Sequence, residues 1–170
     1  KLYLFQGIWT ELPDGNDFRN SKFLAGRLSE IKNAVDVVYG NAALSEQPGH
    51  AHGKYAYDVS SYLAGFIIGR EWEGSAVRGF NELHQRSIRD YQGSFLRIRQ
   101  GNPFEVWIAE TCDFLQSYEQ ERYRVTHPVT TINWPTLDPI EHPSESTYGE
   151  ESHPETDPNT GAGVPIEDAD

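Results

Sequence analysis

The chain has 170 residues, a net charge of −12 and one cysteine. That length suits one ordinary domain with a sizeable core, while the lone Cys112 excludes an internal disulfide. No apolar run reaches the roughly 18 residues of a membrane span, and no charged-then-apolar leader opens the sequence. The absence of methionine and the start at Lys1 lead us to expect a processed product or a piece of a longer polypeptide. The charge is uneven: Pro135 to Asp170 hold ten acids and no base, whereas residues 1–134 hold sixteen acids against fourteen bases. A nearly neutral body and an acidic tail argue against nucleic acid as a partner, because backbone binding needs a basic surface.

In chain order, "KLYLFQGIW" reads as a buried strand and "LPDGND" as a turn. From Ser21 a helical pattern begins. Leu24, Leu28, Ile31, Val35 and Val38 fall on one face, and Gly40 sits where a C-terminal cap belongs. Residues 41–62 read as loop. "LAGFIIG" is consecutive rather than alternating in its apolar residues, as a strand buried on both faces would be. A long polar stretch follows from Ser75 to Gly101. Asn102, Pro103 and Glu105 mark the start of a second helix, with Phe104, Ile108, Thr111, Leu115 and Tyr118 along its face. "HPVTTINW" supplies a third strand rich in β-branched residues.

The alternation predicts parallel strands near 2–8, 65–70 and 128–133, adjacent in that order, with helices near 21–39 and 103–121 on one side. Residues 144–170 hold few apolar side chains and are expected to form an irregular acidic, proline-rich tail. "WPTLDPIEHP", just before it, has enough apolar mass to fold over the ends of the strands.

The unusual residues gather where the strands end. Trp9 and Glu11 follow the first strand, Arg70, Glu71, Trp72 and Glu73 the second, and Asn133 and Trp134 the third. In parallel α/β architectures this C-terminal rim is where sites are built. Glu71 and Glu73, two apart, would share one side of a continuing strand. Two carboxylates flanking a sugar bond supply acid and nucleophile, or acid and base. The tryptophans offer flat apolar faces to sugar rings, and Arg70 suits a carboxylate. The plainer reading is that Arg70 and Glu71 pair with neighbours and the tryptophans only roof the strand ends.

The motifs "LYLFQGIW", "VDVVYGNA", "YLAGFIIGREWEG", "PFEVWIAE" and "TINWPTLDPIEHP" resemble the middle of large bacterial proteins with a glycoside-hydrolase-like (β/α)8 barrel. The resemblance covers residues 1–143. More distantly, it extends to the clan of retaining β-glycosidases that includes β-galactosidases and cellulases. It implies a partial (β/α)8 barrel of about three strand-helix units, with the rest of the barrel supplied by other parts of the same polypeptide. It implies carbohydrate as the partner and "GRE" as the clan's Asn-Glu strand end, making Glu71 the acid/base. Trp9, Glu11, Arg70, Trp72, Glu73, Asn133 and Trp134 would then line the sugar cleft. The sequence departs from the clan where Arg70 replaces the asparagine, and the clan's nucleophile strand lies beyond this chain.

Other signals are thin. His50 and His52 lack a third ligand at a telling spacing, and no glycine fingerprint opens a helix, so neither a metal nor a cofactor is expected. Cys112 beside an apolar helical face reads as a buried, inert thiol. Two rivals to hydrolysis stand: a carbohydrate-binding or scaffold barrel without catalysis, and an α/β domain whose rim holds a small anion through Arg70.

Overall fold

The computed structural model describes residues 2–132. Three parallel strands form its sheet, β1 (Leu4–Trp9), β4 (Leu63–Gly69) and β7 (Val129–Thr131), in the order β1-β4-β7. Three helices accompany them: α1 (Ser21–Val38), α2 (Gly74–His84) and α3 (Pro103–Tyr123). The predicted strand order and parallel sense are those observed. Ile8 lies opposite Ile68, and Ile68 opposite Thr131.

This register sets the core. Ile8, Phe66 and Ile68 point to one face, where they pack with Ile31, Val35 and Val38 of α1 and with Cys112 and Leu115 of α3. Both predicted helices therefore cover the same side. Asn20 caps α1 by accepting hydrogen bonds from the N–H groups of Lys22 and Phe23. Gly40 ends that helix at φ +67°, and a Cβ there would lie 2.6 Å from the Tyr57 backbone. The capping box of α3 forms as the sequence indicates, with Asn102 and Glu105 bonded reciprocally and Pro103 in the first turn.

The polar stretch after Ser75 is not all loop. It contains α2, which buries Ala76, Val77 and Phe80. These join Phe18, Trp72, Phe104 and Trp107 in a second, aromatic core. Phe18 stands at its centre, with Trp72 edge-on at 5.5 Å and Trp107 at 4.8 Å.

Short antiparallel pairs also replace expected loop. β2 (Ala42–Leu44) pairs with β3 (Gly53–Tyr55), and β5 (Tyr91–Gln92) with β6 (Arg97–Ile98). The second hairpin is stapled to α3 by Asp113, which accepts from the N–H groups of Ser94, Phe95 and Leu96 and from the Tyr91 hydroxyl. Burial works to raise the Asp113 pKa, but these donors prevail and hold it below the usual carboxylate value. Position 93 leaves no room for a side chain, because a Cβ would collide with the Asp113 carboxyl.

The face of the sheet away from α1 and α3 is open among the described residues. Phe5 is 61 % exposed and Trp9 57 %, with Gly7, Gly65 and half-buried Ile67 between them. The acidic tail, Asn133 and Trp134 lie outside the described residues.

Candidate functional site

The site grows from the way β4 stops. Gly69 takes φ +123°, a conformation open to glycine, and a Cβ there would meet the Trp72 indole at 3.2 Å. The strand ends, the chain turns, and Trp72 tucks beneath the turn. Residues 70–73 lie between β4 and the first turn of α2.

Two expectations change as a result. The strand period that would have aligned Glu71 with Glu73 does not apply, since the strand stops two residues earlier. Trp72 is a core residue, 2 % exposed, and Phe18, Phe104 and Trp107 surround its ring. No sugar can stack on an indole whose faces and edges are already occupied, so the cleft-lining role expected of Trp72 is corrected to a packing role. Its Nε1 is buried without a partner.

The remaining rim residues converge. Trp9 ends β1 directly opposite Gly69, which places its ring beside Arg70. The Arg70 guanidinium lies over that ring, 5.4 Å from its centroid. It also donates to the Glu73 carboxylate at 2.9 Å. The second Glu73 oxygen, Oε2, is buried and has no partner. Glu71 is exposed on the same turn, and its carboxylate makes no hydrogen bond or ion pair with any described residue. An exposed aromatic face, a cation, a paired carboxylate and a free carboxylate thus share the C-terminal ends of two adjacent parallel strands.

Glu11 is exposed just past β1. With Leu12, Asn20, Lys22, Arg27 and Glu30 it lines a groove of about 240 Å³ between the β1–α1 loop and α1. Asn133 and Trp134, the other expected cleft residues, fall outside the described residues.

Arg27 was not singled out from the sequence. It is 2 % exposed, and its Nη1 donates to the Trp9 carbonyl at 3.1 Å. Burial lowers its pKa to about 10, against the opposing pull of Glu30, so it stays charged at neutral pH. A buried cation therefore fixes the backbone that carries the exposed tryptophan. The signal was available: Arg27 sits three residues after Leu24 and four before Ile31, a charge placed on an apolar stripe.

Cys112 is buried, and burial pushes its thiol up to about 12. A neutral thiol of this kind is no nucleophile. Among the described residues no cluster of three metal-ligating side chains forms, and no helix is long and apolar enough to cross a membrane. Neither a protein-family model nor a curated protein nor a solved structure matches the chain.

Proposed function

We propose that the chain is part of a glycoside-hydrolase-like (β/α)8 barrel and that its rim binds carbohydrate. In this reading Glu71 protonates the glycosidic oxygen and then acts as base on water. The observation that carries the reading is the placement of Glu71. It is an exposed carboxylate with no partner among the described residues, at the end of the central strand and on the same rim as an exposed tryptophan. The partner carboxylate would come from sequence outside the described residues. The open sheet face, with Phe5, Ile67 and Trp9 uncovered, suits a sheet that continues into a closed barrel.

One observation favours a second reading, a carbohydrate-binding barrel without catalysis. Arg70 is already occupied, stacked on Trp9 and paired with Glu73. The cation is thereby spent on holding the rim, and Trp9, still 57 % exposed, offers a sugar ring an apolar surface without requiring any bond to break.

Calorimetry and hydrolysis assays on the whole polypeptide, over a panel of neutral and acidic sugars and their aryl glycosides, test both. Hydrolysis that Glu71→Gln abolishes supports the enzyme. Binding without hydrolysis, weakened by Trp9→Ala, supports the binding protein. Absence of both overturns the carbohydrate reading.

A further inference from the structure

Arg27 is a buried cation with unmet hydrogen-bonding capacity. Its Nη1 donates to the Trp9 carbonyl and stands 3.5 Å from the Glu30 carboxylate. The second distance exceeds the roughly 2.7–3.2 Å of an ordinary N–H···O bond, and the Glu30 side chain is itself 41 % exposed. The other two nitrogens, Nε and Nη2, are buried and have no hydrogen-bond partner among the described residues. These two share one edge of the guanidinium plane. They form the fork that takes a carboxylate through two parallel N–H···O bonds. A charge withdrawn from water without a well-matched anion is costly, so an empty fork on a residue 2 % exposed points to a missing anionic partner.

Arg27 forms part of the wall of the groove between the β1–α1 loop and α1. Its volume of about 240 Å³ is below the roughly 300–1,000 Å³ of a drug-sized pocket and suits a single ring. Leu12 and Phe23, both half-buried, supply apolar surface. Gly26 leaves an opening, since nothing lies within 4 Å of a Cβ placed there. Glu11, Asp14 and Glu30 against Lys22 and Arg27 give the groove a net charge of −1 (three acids, two bases). That balance disfavours a compact, multiply charged anion such as phosphate. It suits a ligand with one carboxylate for the fork and several hydroxyls for the acidic side chains, which only accept hydrogen bonds.

We propose that this groove binds a uronic acid unit, with the carboxylate on the Nε–Nη2 edge of Arg27 and the hydroxyls donating to the acidic side chains. The fork is shut off from solvent. Half-buried Phe23 and Glu30, about one turn to either side of Arg27 on α1, are the side chains that turn outward to admit the ligand. The sugar part of this assignment rests on the carbohydrate reading above, whereas the carboxylate part rests on Arg27. The two sites are joined through Trp9: the carbonyl that Arg27 holds belongs to the residue whose ring forms the rim.

NMR titration of the whole polypeptide with glucuronate, glucose and acetate tests the proposal. Glucuronate should shift the Arg27 Nε–H signal and the amides of residues 11–30 saturably. It should bind at least about tenfold more tightly than glucose or acetate, because it alone supplies both the carboxylate and the hydroxyls. Gly26→Leu fills the groove without altering Arg27 and places a better helix former on an exposed position. Its melting temperature should hold or rise while glucuronate binding falls at least about tenfold. Arg27→Lys, which keeps the charge and removes the fork, should weaken binding similarly. Glucuronate binding that survives Gly26→Leu, or equal affinity for acetate, overturns the proposal. Neutral-sugar binding that Trp9→Ala weakens, with no shift in residues 11–30 on adding glucuronate, overturns it and leaves the rim reading standing. No binding of either sugar overturns both.

Discussion

The β1–β4–β7 sheet has two faces made by the same strands, and they differ in completion. Toward the helices, Ile8, Phe66 and Ile68 meet Ile31, Val35 and Leu115 and are buried. Toward the other side, Phe5 and Trp9 stand exposed between glycines. Alternation along one strand thus separates residues that hold the fold from residues that stay exposed among the described residues. The rim lies where the two faces meet and holds both kinds of residue: Trp72 is core, while Trp9 and Glu71 are exposed.

The largest expected effects break this comparison directly. Ile8→Ala, on the closed face, should cost about 2–5 kcal/mol through lost burial and a cavity. Phe5→Ala, three residues away on the open face, should cost no more than about 0.5 kcal/mol. Denaturant unfolding of both variants measures the contrast. Equal costs would show that the open face is covered in solution.

Next comes the hairpin staple. Asp113→Ala strands three backbone donors and should destabilise by about 1–3 kcal/mol, with faster amide exchange confined to residues 91–98. The same contact has a pH signature. The folded-state pKa of Asp113 is depressed, so its stabilisation is fully present above the unfolded value near about 3.9. It is lost as pH falls through the lower folded value. Acid titration of the melting temperature should therefore lose this component below about pH 4, and Asp113→Asn should remove that dependence. An unchanged acid profile in Asp113→Asn would contradict the assignment.

The smallest effects belong to the rim. Arg70→Ala removes a partly exposed ion pair and a cation–π contact, and should change stability by about 1 kcal/mol or less. Its larger consequence should be freer motion of the Trp9 ring, read as a shift in tryptophan emission. No change in that emission would contradict the stacking.

The long elements were legible because their local signals agreed. α1 combines an unbroken apolar stripe with a capping side chain, and α3 a stripe interrupted only by Thr111 with a full capping box. α2 has neither: its buried set is only Ala76, Val77 and Phe80, Gly79 interrupts it, and Glu73 provides no side-chain cap. The hairpins escaped notice because strands of two or three residues carry no periodicity. Asp113, far along the chain, is what holds β5–β6 in place. At the rim, Trp9, Arg70, Glu71 and Glu73 were readable as strand-end residues. Trp72 was misread because its ring partners, Phe18, Phe104 and Trp107, come from segments that its neighbours in sequence do not announce.

The proposed role of Glu71 as general acid on an open rim is tested most directly by leaving-group dependence in the whole polypeptide. For an alkyl or unactivated aryl glycoside, Glu71→Gln should lower kcat/KM by about 10²–10⁴. For a dinitrophenyl glycoside, whose departing group needs no proton, glycosylation should be nearly unaffected. Melting temperatures of wild type and variant should agree, because the carboxylate has no structural partner among the described residues. An equal loss with both substrates, or no loss with either, would contradict the role assigned to Glu71.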